Sequence, residues 1–184
     1  LGANFRLRKT ISFLADAFYM NGCTLTTDAA LITGGLIEPY ITCGDNSAHG
    51  FHRSFDMPDS WDGAGLTFMP SLVNVNATPA NDYEIRFSAD CKANSEVVGT
   101  TISTTGQQAA LFDFDNSGTC GTACAQFDRA KVTTASVTPN GTCAGGNLLR
   151  VQAQINATNT TTTQTADVKI IGVNMEYAVT SWSD

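Results

Sequence analysis

The stretch from Leu111 to Cys124, "LFDFDNSGTCGTAC", concentrates more potential chemistry than any other part of the chain. Asp113, Asp115, Ser117 and Gly118 fill the first, third, fifth and sixth places of a calcium loop. In such a loop carboxylates at alternate positions converge on one ion, and glycine permits the sharp turn. The twelfth place, which needs a bidentate Glu, holds Cys124, so an EF-hand is excluded. The plain reading is an Asp/Asn-rich turn whose side chains bond their own backbone. The alternative is calcium held by Asp113, Asp115 and Ser117, with further ligands from another loop. Cys120 and Cys124 flank a Gly-containing turn and are close enough in sequence to form a disulfide clip. A redox pair would instead be C-x-x-C at the start of a helix, with a lowered thiol pKa.

Other constellations are weaker. His49 and His52 are the only histidines, and H-x-x-H can bind a metal. On a strand, however, residues three apart point to opposite faces, which separates them. Asp56, Asp59, Asp62, Glu84 and Asp90 are candidate acids and bases, but no G-x-S-x-G elbow or phosphate-cradling glycine loop accompanies them. No enzyme is expected. Trp61 and Tyr40, with Tyr83 and Trp182, are candidates for stacking on sugar rings; the competing reading of Trp61 is a plug at one end of a sandwich. N-x-T sequons begin at Asn76, Asn140, Asn156 and Asn159.

The elements that must carry these residues are strands. Tyr83, Ile85, Phe87 and Ala89 alternate with Glu84, Arg86, Ser88 and Asp90. Leu149, Val151, Ala153 and Ile155 alternate with Arg150, Gln152, Gln154 and Asn156. Ile171, Val173, Met175, Tyr177 and Val179 do the same towards the end. Period-two alternation marks a strand with one buried and one wet face, the habit of antiparallel sheets. Further strands are expected over Leu7–Tyr19, Thr24–Ile32, Ile37–Cys43, Gly50–Met57, Gly65–Val75 and Gln126–Val137, with a turn of helix over Asp16–Asn21. The turn-rich punctuation between them, and a length suited to one domain, point to an all-β antiparallel sandwich over residues 1–184 with jelly-roll topology. An immunoglobulin-type sandwich is the alternative. The low-complexity run "NATNTTTTQT" (156–165) reads as a hairpin loop.

Bulk composition narrows the partners. Apolar residues make up 42% of the chain, enough for a core, while charged residues are only 15%, so Thr, Ser, Asn and Gly must supply the wet surface. A net charge of −7 argues against nucleic acid, which needs a basic patch to displace counterions. The basic residues Arg6, Arg8 and Lys9 cluster near the start, so residues 1–20 are a candidate strand or arm reaching a neighbouring subunit. No run of eighteen apolar residues occurs, so no membrane-spanning helix is expected. Six cysteines without C-x-x-C spacing read as disulfides and an oxidising compartment. Beyond the local clip, the pairing of Cys23, Cys43, Cys91 and Cys143 stays open.

The runs "FDMPDSWDGAGLTFMPSLVNVNATPANDYEIRFSADCKANSE", "VTPNGTCAGGNLLRVQAQINAT" and "VKIIGVNMEY" cover most of residues 50–178. Together they resemble a group of phage and marine-viral structural proteins, jelly-roll parts of the virion exterior such as decoration proteins, head fibres and tail fibres. The resemblance implies a structural turn at Trp61, Asp62 and Gly63 and framework cysteines at Cys91 and Cys143; the pair Cys120 and Cys124 is extra to it. The function expected is therefore a non-enzymatic virion subunit that self-associates as a trimer or filament beside other virion proteins. The alternative is an extracellular carbohydrate-binding or adhesive module, contacting a host-surface glycan through Trp61 and Tyr40, with calcium as its only candidate cofactor, or a pilus-like filament subunit.

Overall fold

The computed structural model describes residues 7–29, 35, 37–76, 82–98, 101–115, 117–120, 123–158, 160 and 168–180. Arg6, Trp182, Asn159, the side chain of Ser117 and most of the 156–165 run lie outside the described residues. The strands in chain order are β1 (Leu7–Leu14), β2 (Tyr19–Asn21), β3 (Cys23–Thr26), β4 (Tyr40–Cys43), β5 (Gly50–Asp56), β6 (Thr67–Asn74), β7 (Asp82–Lys92), β8 (Gln108–Asp113), β9 (Arg129–Lys131), β10 (Leu148–Ile155) and β11 (Val168–Val179). A 3-10 turn spans Ala15–Ala17, and one turn of α-helix, α1, spans Ser117–Cys120.

These strands form two antiparallel sheets packed as a sandwich. One sheet runs β3-β4-β11-β6-β9, with β1 also on β11, and the other runs β2-β5-β10-β7-β8. From β4 to β11 successive strands lie in alternate sheets except for β7 and β8, which pair within one sheet, and this is the jelly-roll order. β1 and β4 share one edge of β11: β1 pairs from Leu7↔Val179 to Leu14↔Gly172, and β4 meets it at Ile41↔Ile170. From Leu7 onward the basic strand is part of the chain's own sheet, where Arg8 contacts Glu176.

The core is the set of inward-facing side chains that alternation picks out. Phe68 on β6 stacks on Phe87 on β7 with ring centroids 4.7 Å apart, joining the two sheets at their centre. Phe13, Phe18, Phe51 and Phe55 form a chain of ring contacts at the β1–β2 side. Several expected elements differ from what forms; the turn of helix expected over Asp16–Asn21, for one, is a 3-10 turn over Ala15–Ala17 followed by β2. Leu7–Tyr19 is two strands in different sheets, because the 3-10 turn redirects the chain after Leu14. Gln126–Val137 forms only the short β9 and an isolated Leu66↔Val137 bridge. Thr134 intervenes, its backbone and hydroxyl both bonding the backbone of Phe68. A bulge between Ile170 and Gly172 turns Ile171 outward and leaves Ile170 in the core, opposite to the simple alternation. β8 was not expected as a strand, since its sequence QAALFD carries no β-branched residue and runs into the acidic turn.

Candidate functional site

The acidic turn gains a member that spacing within Leu111–Cys124 cannot supply. Asp82 and Asp113 are direct cross-strand partners at the end of the β7–β8 pair, and Asp115 follows on the outgoing loop. Ligand oxygens of the three lie within 4.8 Å of one another. The Asp82 carboxyl is held above the ordinary carboxylate range, first by partial burial and then by the charges of Asp113, Asp115 and Glu84. Ser117 contributes backbone to α1, and it is Thr119 whose hydroxyl bonds the Asp113 N–H, at 2.8 Å. The clip closes as a Cys120–Cys124 disulfide, and Cys23–Cys43 and Cys91–Cys143 complete the set.

A group whose folded pKa is raised stabilises the fold only when protonated, so its cost is fully present at neutral pH and fades as pH falls through that pKa towards 3.8. Asp82→Asn is therefore expected to raise stability at pH 7 in EDTA by on the order of 0.5 kcal/mol, the worth of relieving directly opposed like charges. The advantage over the wild type should vanish below the ordinary Asp range, as read by urea titrations at several pH values. Calcium added to the wild type separates the two readings of the turn. A rise in Tm that EDTA reverses and Asp82→Asn abolishes assigns a cation to the trio, and an unchanged Tm leaves an acidic turn.

The stacking candidates fare differently. Trp61 is 3% exposed, bridged to Val179 inside the core, so it is the plug at a sandwich end and not a sugar platform. The turn after it is built by Asp62, whose Oδ1 accepts the Ala64 N–H at 2.8 Å, and by Gly63 at φ +74°. A Cβ on Gly63 would sit 2.4 Å from the Cys143 carbonyl oxygen. Tyr40 is half-buried on β4, with the Lys169 ammonium 5.3 Å over its ring. Its neighbour Ile41 pairs with Ile170, nine residues along β11 from the Val179 that bridges Trp61, or about 30 Å of strand. The two therefore share no site. Tyr83 is wholly buried.

The site that sequence reading missed lies on the outer face of the second sheet. Cross-strand pairing brings Asp56/Leu148, Ser54/Arg150 and His52/Gln152 into three successive rungs of β5 and β10, with Asp90 and Ser88 beside them on β7. The described parts of the connection from β7 to β8, residues 93–98 and 101–107, fold across this face. With it the rungs enclose a groove of about 540 Å³ lined by His52, Ser54, Leu148, Arg150 and Gln152 beneath Val98, Thr101 and Ile102. Arg150 holds the connection down. Its side chain is 7% exposed, its Nε donates to Asp90 Oδ1 at 2.7 Å, its Nη2 pairs with Asp90 Oδ2, and its Nη1 donates to the Val98 carbonyl. Gln107 Nε2 donates to Gln154 Oε1 at 3.3 Å at the far end. Tyr19, 69% exposed, stacks on His52 at the rim. His49 lies against Gly22 and Gly44 instead, so the two histidines are not joined. The Glu84 carboxylate is likewise occupied, by Arg86 and by the Asn156 amide. The alternation of β10 already pointed Arg150 and Gln152 to one face; what covers that face is a loop, which alternation does not reach.

No family model matches the chain, and no curated protein does. Solved structures of similar architecture include a cycloisomaltooligosaccharide glucanotransferase from Paenibacillus sp., at 9% identity and a TM-score of 0.43 over 93% of this chain. Another is a GH26-CBM35 β-(1,4)-mannanase from Podospora anserina, at 10% identity and a TM-score of 0.49 over 95% of this chain. The chain spans 18% and 28% of the length of those two proteins. A third is the CBM36-1 domain of a multidomain xylanase from the hindgut metagenome of Trinervitermes trinervoides, at 9% identity and a TM-score of 0.49 over 91% of this chain and 96% of that one. At such identities and scores the likeness carries no function across.

Proposed function

We propose that the protein is an extracellular, non-enzymatic glycan-binding module whose site is the groove over β5 and β10. The observation that carries this reading is the groove's lining. A pyranose ring has apolar C–H faces and polar edges. Val98, Ile102 and Leu148 suit the faces, while His52, Ser54 and Gln152 offer donors and acceptors to hydroxyls. Placed polar groups beside apolar walls suit a small ligand that has both kinds of surface. Tyr19 adds an exposed aromatic face at the rim. The floor is a hydrogen-bonded sheet and the roof is latched by Arg150, so little ordering is needed on binding. Three disulfides fit an oxidising compartment.

A glycan array followed by calorimetry on the best binder tests the reading. Gln152→Ala is expected to weaken binding about tenfold, the worth of one good hydrogen bond, without moving Tm. An array with no binder, or a binder indifferent to both Gln152→Ala and His52→Ala, would sink it. A second reading, a subunit of a virion exterior, is supported by the jelly-roll order and the sequence resemblance. Electron microscopy of the native source, showing this chain in a particle or fibre, would decide for it.

A further inference from the structure

The groove's sheet ends in an edge that differs from the others. β9 is three residues with Arg129 and Lys131 at its ends, β2 is three residues, β3 is four, and β1 carries Arg8 and Lys9. Shortness and positive charge are how natural sheets discourage edge pairing. β8 has neither device: Gln108 to Phe112 bears no charge, and Leu111 is 44% exposed.

The direction of its backbone groups follows from its neighbours. In an antiparallel ladder alternate residues bond one side and then the other. On β7, Glu84 turns its backbone away from β8: its N–H donates to Thr160 Oγ1, and its C=O accepts the Asn156 N–H. Its partner Leu111 therefore faces outward, and so does every second residue of β8. The ends of that outward row are capped, because Gln107 N–H donates to the Thr104 carbonyl and Asp113 N–H to Thr119 Oγ1. Between the caps remain the N–H and C=O groups of Ala109 and Leu111, for which no partner occurs among the described residues.

We infer that β8 pairs with β8 of a second copy of this chain, antiparallel about a two-fold axis at Ala110. The register is set by the caps. With Ala109 opposite Leu111 of the partner subunit, and the reverse, all four free groups bond and both caps stay intact. Shifting the axis to Ala109 or to Leu111 sets a capped Gln107 or Asp113 N–H against a free group. In the inferred register Asp113 faces a Gln107 amide across the axis, and the two acidic trios are kept apart. The outer faces of both copies then lie on one side of a continuous sheet, with both grooves open in the same direction. A single strand pair is a small interface, so the dimer is weak and concentration-dependent.

Sedimentation equilibrium from low micromolar to millimolar chain should show the weight-average mass rise from 19.4 kDa towards twice that value. Ala109→Pro removes an outward N–H and leaves the β7 ladder whole, as proline on an edge strand permits. It should stay monomeric throughout with Tm nearly unchanged. Ala110→Pro removes an inward N–H and should lose the fold, which checks the assignment of directions. Leu111→Lys, which places a charge in the paired stretch on each side of the axis, should raise the dissociation constant at least tenfold and guards against Ala109→Pro failing to fold. A wild type that stays at 19.4 kDa at millimolar concentration overturns the inference, as does association undiminished in both edge variants. Glycan binding by the groove is measured separately and stands or falls independently.

Discussion

Asp90→Asn and Arg150→Met will each lower the unfolding free energy by about 3–5 kcal/mol, because each leaves one buried charge without its counter-charge. The pair is nearly sealed, with side chains 5% and 7% exposed, and it is bidentate. Lys92 lies 3.9 Å from Asp90 Oδ2 and offsets only part of the loss when Arg150 is removed. The double variant Asp90→Leu/Arg150→Met removes both charges and should recover most of the stability, since an apolar pair of similar volume often equals a buried ion pair. It should not recover the groove. The segment around Val98 loses its latch in either background containing Arg150→Met, so glycan binding falls even where stability returns. Urea titration and calorimetry on the wild type and these three variants separate the two effects. Single variants costing under about 1 kcal/mol would mean that the pair behaves like an exposed one, as expected of Arg8 and Glu176, and would remove the latch from the account.

The second large effect concerns the disulfides, which are unequal. In the chain-entropy model the stabilisation grows with the loop closed, and the separations here are 52, 20 and 4 residues. Cys91→Ala/Cys143→Ala should therefore cost about 4 kcal/mol, removal of Cys23–Cys43 about 3, and removal of Cys120–Cys124 about 2. Cys91 sits in the core at the end of β7, and Cys143 belongs to the loop that packs under Gly63. Losing this bridge frees the loop between β9 and β10, whereas losing the clip opens only the short span from Cys120 to the buried Cys124. Denaturation of the three double variants under non-reducing conditions measures the order. A clip variant as unstable as Cys91→Ala/Cys143→Ala would show that the cost lies in native packing and not in the unfolded chain.

Much of this architecture is readable along the chain because the sandwich has one wet and one dry face. β7 and β10 emerge from alternation alone, and the even set of cysteines without metal spacing foretells bridges. Alternation breaks down where neighbours intervene. Ile171 sits on the opposite face to the one its spacing implies, because the bulge against β6 adds a residue to β11. Trp61 looks like a loop aromatic, set as it is between turn residues, and is buried because β11 passes beside it.

The sequence by itself determined the all-β antiparallel class, the use of its cysteines as disulfides, the local clip and the two-residue carboxylate pattern of Asp113 and Asp115, since each depends on residue type and short spacing. Only the tertiary structure decided the rest. Asp82 joins the acidic pair from 31 positions away, through strand register. Arg150 meets Asp90 across 60 positions and pins a loop over the face that both share. Among the described residues β8 lies last in its sheet, which leaves its outer edge without a neighbouring strand. In each case the deciding contact is between residues remote in sequence. Closing such long loops costs entropy that only the assembled core repays, so the information resides in the pairing of strands and not in any one segment.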